Sequence, residues 1–261
     1  MTPFTATLRS EWTKITSLRS TKVMVSLGVI LGIALTAVLA IVVGETFDKW
    51  DAAGRSDFEP VASPLIGGVI CWFLFLVLGV KAATAEYGSG MIRLTLTATP
   101  RRWRVLAAKA AVLGAITLLT GLVVNVAMFL VAQVIFASYG VASASLWDGD
   151  ALRAVLGSAA LAPVIPLIAL ALGILLRSTA AAIVAVFGFV FAPPFLGELL
   201  PRWFQEDVVR YLPSDAADAI SLGHIQGAAD GLSPGIASFV VVAWLAAFLG
   251  AAWLAFERRD A

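Results

Sequence analysis

Six stretches of the sequence contain no charged residue, and each is long enough to cross a lipid bilayer. They cover residues 23–43, 61–80, 110–136, 154–176, 178–197 and 235–256. A helix of about 20 residues is roughly 30 Å long, which matches the hydrocarbon thickness of a bilayer. Because a charge at mid-bilayer costs roughly 2.5–3.5 kcal/mol, uncharged stretches of this length favour insertion. The sequence therefore predicts an all-α membrane protein with six transmembrane helices, forming a single transmembrane domain over residues 1–261.

Charges between these stretches alternate in sign along the chain. Thirteen of the 18 Lys and Arg residues fall at the N-terminus, in 81–109, at Arg177 and at the C-terminus, which six spans place on one side. The segments 44–60, 137–153 and 198–234 hold the other five and most of the acids. Basic loops stay in the cytoplasm. We therefore expect a multi-pass membrane protein with both termini cytoplasmic. Arg outnumbers Lys by 13 to 5, which is typical of GC-rich bacterial genomes, so the expected location is the bacterial cytoplasmic membrane.

Composition and motifs narrow the function classes. Hydrophobic residues make up 60% of the chain and charged residues 13%. The net charge is +1, so the chain lacks the excess of positive charge that attracts nucleic acid. The sequence has one His and one Cys, no Walker A pattern, and no pairing of nucleophile with base or cluster of metal ligands. We therefore expect neither an enzyme nor a metal protein, and no cofactor bound by this chain.

A few polar or small residues stand out inside the apolar stretches. Asn125 and Gln133 are the only amides there, and either helix–helix hydrogen bonding or a polar lining of a substrate path explains them. Gly28 and Gly32 form a G-x-x-x-G pattern, which permits close helix packing, either within the chain or between two copies.

The N-terminal segment has the pattern of an amphipathic helix. Its apolar residues Phe4, Leu8, Trp12, Ile15 and Leu18 recur at helical spacing, whereas Lys14 lies off this stripe and Glu11 and Arg19 fit it poorly. This pattern predicts an interfacial helix before the first span, containing Trp12, Lys14 and Arg19. A plain positively charged flank would also account for the basic residues.

The basic segment between the second and third stretches reads "TAEYGSGMIRLTLTATPRRWRVLAAKAA". Gly88 and Gly90 predict a turn, and Met91 to Leu96 predict a short helix that ends by Pro100. Arg101, Arg102 and Arg104 surround an aromatic residue, as in a membrane-interface anchor. Taken alone, these residues are explained by a membrane-interface anchor in a positively charged inner loop.

The order of motifs resembles a type-2 ABC transporter permease over essentially the whole chain. The matching positions in the loop are Glu86, Gly90, Leu94, Leu96, Pro100, Arg102 and Lys109, with Met91 where the family usually has Thr. The opening "LRSEWTKITSLRSTKVMVSL" and "YLPSDAADAI" at 211–220 are similar to actinobacterial members.

The resemblance implies the membrane subunit of an ATP-driven exporter, working as a homodimer or heterodimer with a path along spans one, two and five. The loop between spans two and three would be a coupling helix that docks on a separate ABC ATPase, which binds ATP and Mg. Its contact residues would be Glu86, Gly90, Met91, Ile92, Arg93, Leu94 and Pro100. Replacement of Arg93 by Glu, or deletion of 88–96, is then expected to abolish transport. The alternative is a scaffold or sensor subunit that transports nothing and anchors a cytoplasmic partner.

Overall fold

The structure is a computed structural model, and it describes residues 4–88, 90–98, 101–196, 204, 208–223 and 232–258. Of the described residues, 86% are helical and none lies in a strand, which confirms the all-α prediction. The eleven α-helices of this part of the chain are α1 Phe4–Ser17, α2 Arg19–Thr46, α3 Ala52–Ser56, α4 Gly68–Gly88, α5 Met91–Ala98, α6 Arg102–Ser138, α7 Gly149–Leu161, α8 Val164–Leu176, α9 Thr179–Leu196, α10 Pro213–Ser221 and α11 Pro234–Arg258. Short 3₁₀ helices cover Phe47–Lys49, Ser63–Gly67 and Val209–Tyr211.

Five helical segments are long and apolar enough to cross a membrane: Arg19–Lys49, Ser63–Gly88, Arg102–Ser138, Gly149–Leu176 and Pro234–Arg258. They contain five of the six predicted stretches almost completely. The remaining stretch, 178–197, forms α9, whose apolar part Thr179–Val190 is shorter than the other five. The chain therefore has the composition and helix lengths of a multi-pass membrane protein.

Helix α4 lies at the centre of the bundle and packs against α2, α6, α8 and α9. Half of its span is buried within the protein, and for Gly149–Leu176 the buried share is 56%. In contrast, α2 and α11 are only 22% and 17% buried over their apolar windows. Because the exposed residues of these two helices are mostly apolar, their outer faces are suited to lipid.

Gly28 and Gly32 are buried where α2 meets α4. The Cys71 thiol donates a hydrogen bond to the Gly28 carbonyl over 3.1 Å, and a Cβ at Gly32 would lie 3.2 Å from the same sulfur. The G-x-x-x-G pattern therefore serves packing within the chain.

The fourth predicted stretch is divided into two helices. Helix α7 ends at Leu161 and α8 begins at Val164, with Pro163 at the N-cap of α8. Proline has no amide hydrogen and clashes with the preceding turn, so it interrupts the helix at this point. Pro166 lies inside the first turn of α8, where its missing amide costs little.

Candidate functional site: a buried ring of four charges

Four charged side chains from three helices form a closed ring of ion pairs. Lys109 of α6 donates to Glu11 Oε2 of α1 over 2.7 Å and to Glu86 Oε1 of α4 over 2.8 Å. Lys14 of α1 donates to Glu11 Oε1 over 2.7 Å and to Glu86 Oε1 over 3.0 Å. Each cation therefore contacts both anions, and the formal charge of the ring is zero.

The ring is largely shielded from solvent. The exposed fraction of the side chain is 1% for Glu11, 8% for Lys109 and 10% for Glu86, while Lys14 keeps 29%. A buried charge is tolerated when it is paired and hydrogen-bonded, and removing one partner leaves the other uncompensated. The four charges therefore depend on one another for their burial.

A short helix outside the bundle is attached to this ring. The Thr95 hydroxyl of α5 donates to Glu86 Oε2 over 3.0 Å, and Lys14 Nζ lies 3.3 Å from the same hydroxyl oxygen. Glu86 is thus the common acceptor for α1, α5 and α6. Two bundle helices, the N-terminal helix and the loop helix meet at one carboxylate.

The segment between α4 and α6 follows the predicted turn and short helix. Gly90 has φ of +69°, a left-handed conformation that glycine adopts without strain, and α5 begins at the next residue. Ile92 is 6% exposed and packs into the core with Val105, Ile174 and Phe256. This burial fixes α5 against the ends of α6, α8 and α11.

Two apolar residues of α5 face away from the protein. Met91 is 49% exposed and Leu94 is 69% exposed. We expected Ile92 and Glu86 to take part in a partner contact as well, but both are turned inward in this chain. The side chain of Arg93 and the whole of Pro100 lie outside the described residues.

Helix α1 uses a face that the sequence pattern did not emphasise. Its buried residues are Thr7, Glu11 and Ile15, which recur every fourth residue, whereas Trp12 is 47% exposed. The apolar stripe is therefore divided, with one edge packed on the protein and the other uncovered. Phe4 at its start stacks on Trp103 of α6 with ring centroids 6.4 Å apart. Arg19 begins α2 and is exposed.

Neighbouring charges also tune Lys14. Burial alone would lower its pKa, but hydrogen bonds and charge attraction from Glu11 and Glu86 outweigh that effect and raise the pKa of the ammonium group above its ordinary value. Its stabilising contribution is therefore fully present below the pKa of an unfolded lysine and is lost only as the pH rises through the higher folded value. Lys14 is therefore charged at neutral pH.

The two amides of α6 make hydrogen bonds within the chain. Asn125 Nδ2 donates to the Gly121 carbonyl of its own helix over 2.9 Å. Gln133 Nε2 donates to the Pro60 carbonyl over 2.7 Å, and its Oε1 accepts from the Ala144 amide over 2.8 Å. Gln133 thus fastens two loops at the end of α6 that is about 36 Å from Lys109, given the rise per residue of a helix.

The sequence pattern marked Lys14, Glu86 and Lys109 as separate candidates and did not predict that they are in contact. Glu11 was noted only because it fits the apolar stripe of the N-terminal helix poorly. One signal was present. Glu11 is the only acid among residues 1–22, and Glu86 is the only acid in 81–109, in segments otherwise rich in Lys and Arg. Isolated acids among basic residues are candidates for internal ion pairs.

Among the described residues, no three His, Cys, Asp or Glu side chains are grouped so that they hold a metal ion.

Comparison with known proteins identifies a family. The family model described as "Protein of unknown function (DUF2705)" matches residues 58–261, which is more than three quarters of the chain. The chain belongs to this family. The match includes Glu86, α5 and Lys109, and it begins after Glu11 and Lys14. No curated protein matches the chain significantly.

Proposed function

We propose that this protein is the permease subunit of an ATP-driven exporter, powered by a separate ATP-binding-cassette subunit on the cytoplasmic side. The observation that carries the proposal is the link from α5 through Thr95 and Glu86 to the ends of two long apolar helices. A membrane chain without a nucleotide-binding motif needs such a path to receive mechanical work from a partner. The loop also resembles a coupling helix, and this resemblance implies the same kind of partner, an ABC ATPase.

The ring supports transmission because its connections are short and mutually dependent. A displacement of α5 acts on Glu86 through Thr95, and Glu86 in turn contacts Lys109 of α6 and Lys14 of α1. Coupling between distant sites travels through packed side chains, ion pairs and rigid helices of this kind. Helices α4 and α6 then extend the movement to the other end of the bundle.

Met91 and Leu94 supply the contact surface in this proposal. They are exposed on a helix whose opposite face is fixed by Ile92 and Thr95, so a partner that pushes on them moves α5 as a unit. Apolar side chains presented by a short amphipathic helix are suited to a groove on a partner protein. Glu86 acts here as the internal anchor of that helix.

The proposal also specifies how the helices lie in the membrane. Helix α9, with 18 residues, serves as the sixth span, and α1 lies at the inner membrane interface with Trp12 toward the lipid headgroups. Both termini are then cytoplasmic. Two such subunits, identical or related, enclose the substrate path.

Co-purification from native membranes in mild detergent tests the proposal. We expect an ATPase with a P-loop to accompany the wild-type protein and to be lost from Leu94→Glu, which places a charge on the apolar contact surface. Thr13→Glu introduces the same charge on the exposed face of α1 and serves as the matched control. Retention of the ATPase by both variants would remove α5 as the docking element.

Transport assays separate the exporter from the scaffold alternative. If the complex forms and hydrolyses ATP, Lys109→Met is expected to keep the ATPase bound while uncoupling hydrolysis from export. A wild-type chain that purifies without any ATPase, from cells in which the neighbouring genes are intact, would contradict the exporter and support a scaffold.

A further inference from the structure

A large cavity lies at the end of the bundle opposite to the ion-pair ring. Its volume is about 940 Å³, and its walls come from the segment between α2 and α4, the first turns of α4, and α10. The loop that forms one wall is fastened to α6 by Gln133, which holds Pro60. A cavity of this size accommodates a drug-sized organic molecule.

One wall is aromatic and held in place by its own packing. Trp50 and Phe58 both line the cavity, with ring centroids 6.0 Å apart in an edge-to-face arrangement. Phe58 packs edge-on against Phe136 of α6 at 5.3 Å, and Trp50 Nε1 donates to the Thr46 hydroxyl over 3.2 Å. The rings are therefore oriented in advance of any ligand. Faces of such rings attract organic cations.

The charges on the cavity wall have a single sign. Asp57, Glu59 and Asp218 line it, and none of its described lining residues is Lys or Arg. Within the described part of the chain, none of these three carboxylates makes an ion pair. Asp57 accepts a long hydrogen bond of 3.4 Å from the Ser56 hydroxyl. Their negative charge therefore faces the cavity, where a cation that enters can reach it.

The arrangement of these acids disfavours an inorganic ion. Among the described residues they are not grouped as a set of metal ligands. Instead they are spread around a wall that also contains Ile66, Val69 and Trp72. Ile66 is 60% exposed and Trp72 is 37% exposed on the outer surface of the α4 segment, so the cavity continues onto an apolar, lipid-suited helix face. A ligand that matches both parts has a positive charge and an apolar body.

We propose that this cavity is a binding site for an amphipathic organic cation, with its charge held by Asp57, Glu59 and Asp218 and its apolar part against Trp50, Phe58 and Trp72. This site is separate from the ion-pair ring and from α5. Binding requires no ATPase partner, and only the role of the ligand as a transported substrate would rest on the proposed exporter.

Direct binding to the purified full chain in nanodiscs of zwitterionic lipid tests this inference. Rhodamine 6G, a permanent cation on a xanthene ring, is titrated by fluorescence anisotropy, and fluorescein serves as the anionic probe with the same ring system. We expect saturable binding of rhodamine 6G near one molecule per chain and none of fluorescein. The double variant Asp57→Asn/Glu59→Gln should bind rhodamine 6G about tenfold more weakly, because it removes two charges near the ligand. Asp48→Asn, an acid in the same segment that does not line the cavity, should bind as the wild type does.

Size-exclusion profiles and thermal unfolding confirm that each variant is folded before its affinity is compared. Non-saturable uptake of rhodamine 6G, equal for wild type and the double variant, would show partition into lipid and overturn the proposal. Comparable binding of fluorescein would overturn it as well, because the site would then not discriminate charge. Since the assay contains no ATPase, a negative result leaves the exporter proposal standing, and a positive result does not establish it.

Discussion

At one end of the bundle, Glu11, Lys14, Glu86 and Lys109 neutralise one another at distances of 3.0 Å or less, whereas at the other end Asp57, Glu59 and Asp218 face a cavity without a cation among its described lining residues. Charges that are paired internally hold parts of a protein together. Charges of one sign that face a cavity without an ion-pair partner attract a ligand of the opposite charge. This contrast supports the mechanical role that we propose for the first region and the binding role that we propose for the second.

The largest loss of stability is expected when one charged residue of the ring is removed. Lys109→Met leaves Glu11 and Glu86 sharing Lys14, which is partly exposed, as their cation within the described ring. Loss of one partner of a buried ion pair costs roughly 3–5 kcal/mol. We expect a clear fall in the midpoint of thermal unfolding in detergent.

Two further variants define the cause of that loss. Lys22→Met removes a lysine that is exposed, and it should leave the midpoint unchanged. Glu11→Leu combined with Lys109→Met removes an anion together with the cation and leaves the pair between Lys14 and Glu86, so it should recover much of the stability. An unchanged midpoint for Lys109→Met alone would mean that the ring is not structural.

A smaller effect is expected from Gln133→Leu at the cavity end. The change leaves the Pro60 carbonyl and the Ala144 amide without their partner. An unsatisfied buried group costs roughly 1–3 kcal/mol, and because these two groups are half-buried, the loss should lie at the lower end of that range. Amide hydrogen exchange should accelerate in the segment 56–63, and the affinity for rhodamine 6G should fall with it. Asn125→Leu on the same helix removes only a hydrogen bond to its own turn and should accelerate exchange there much less. Equal exchange in the two variants would show that Gln133 does not brace the loop.

The contribution of Asp218 to stability is expected to depend on pH. Burial and the nearby charge of Asp215 raise the pKa of the Asp218 carboxyl to about 6. Because the folded state then holds this proton more tightly than the unfolded state, the stability contributed by Asp218 falls as the pH rises from about 4 through 6. Other charged groups on the elements around α10 are Asp57 and Glu59 across the cavity, Asp150 and Arg153 on α7, and Arg210.

Asp218→Asn should therefore raise the unfolding midpoint at pH 7.5 and leave it unchanged at pH 3.5, below the pKa of an unfolded aspartate. The gain should be below about 1 kcal/mol, since Asp218 lies among protein atoms on one side but keeps part of its surface exposed in the cavity, where solvent screens its charge. Rhodamine 6G binding by the wild type should strengthen between pH 5 and pH 7, and the variant should lose that dependence. An identical pH profile for variant and wild type would assign the titration to another group.

Much of the fold was predictable because membrane helices are specified locally. Uncharged stretches of 20 residues or more, such as 110–136, mark their own positions, and Gly90 marks a turn through its left-handed backbone. The division of the fourth stretch at Pro163 also follows from a single residue. These features depend on neighbours in the sequence, so composition and spacing are sufficient to find them.

The ring and the cavity were not predictable in the same way. Glu11 and Lys109 are 98 residues apart, and their contact exists because α1 folds back on α6. Asp57 and Asp218 line the same cavity, although they are even farther apart in the sequence. The sequence revealed which side chains were unusual, such as Glu86, but the pairing depends on tertiary packing that no local pattern encodes.

The smallest expected effect is also the sharpest test of the contrast between the two ends. Asp57→Asn/Glu59→Gln removes two charges, one more than Lys109→Met, yet the free energy of unfolding should change by no more than about 0.5 kcal/mol, as for surface substitutions without structural partners. The reason is that these carboxylates make no ion pair within the described structure, so their removal leaves no buried charge behind. Thermal unfolding in the same detergent, with Asp48→Asn as the control, measures this directly. A loss as large as that of Lys109→Met would mean that the two acids stabilise the fold, and the cavity would then have no charge reserved for a ligand.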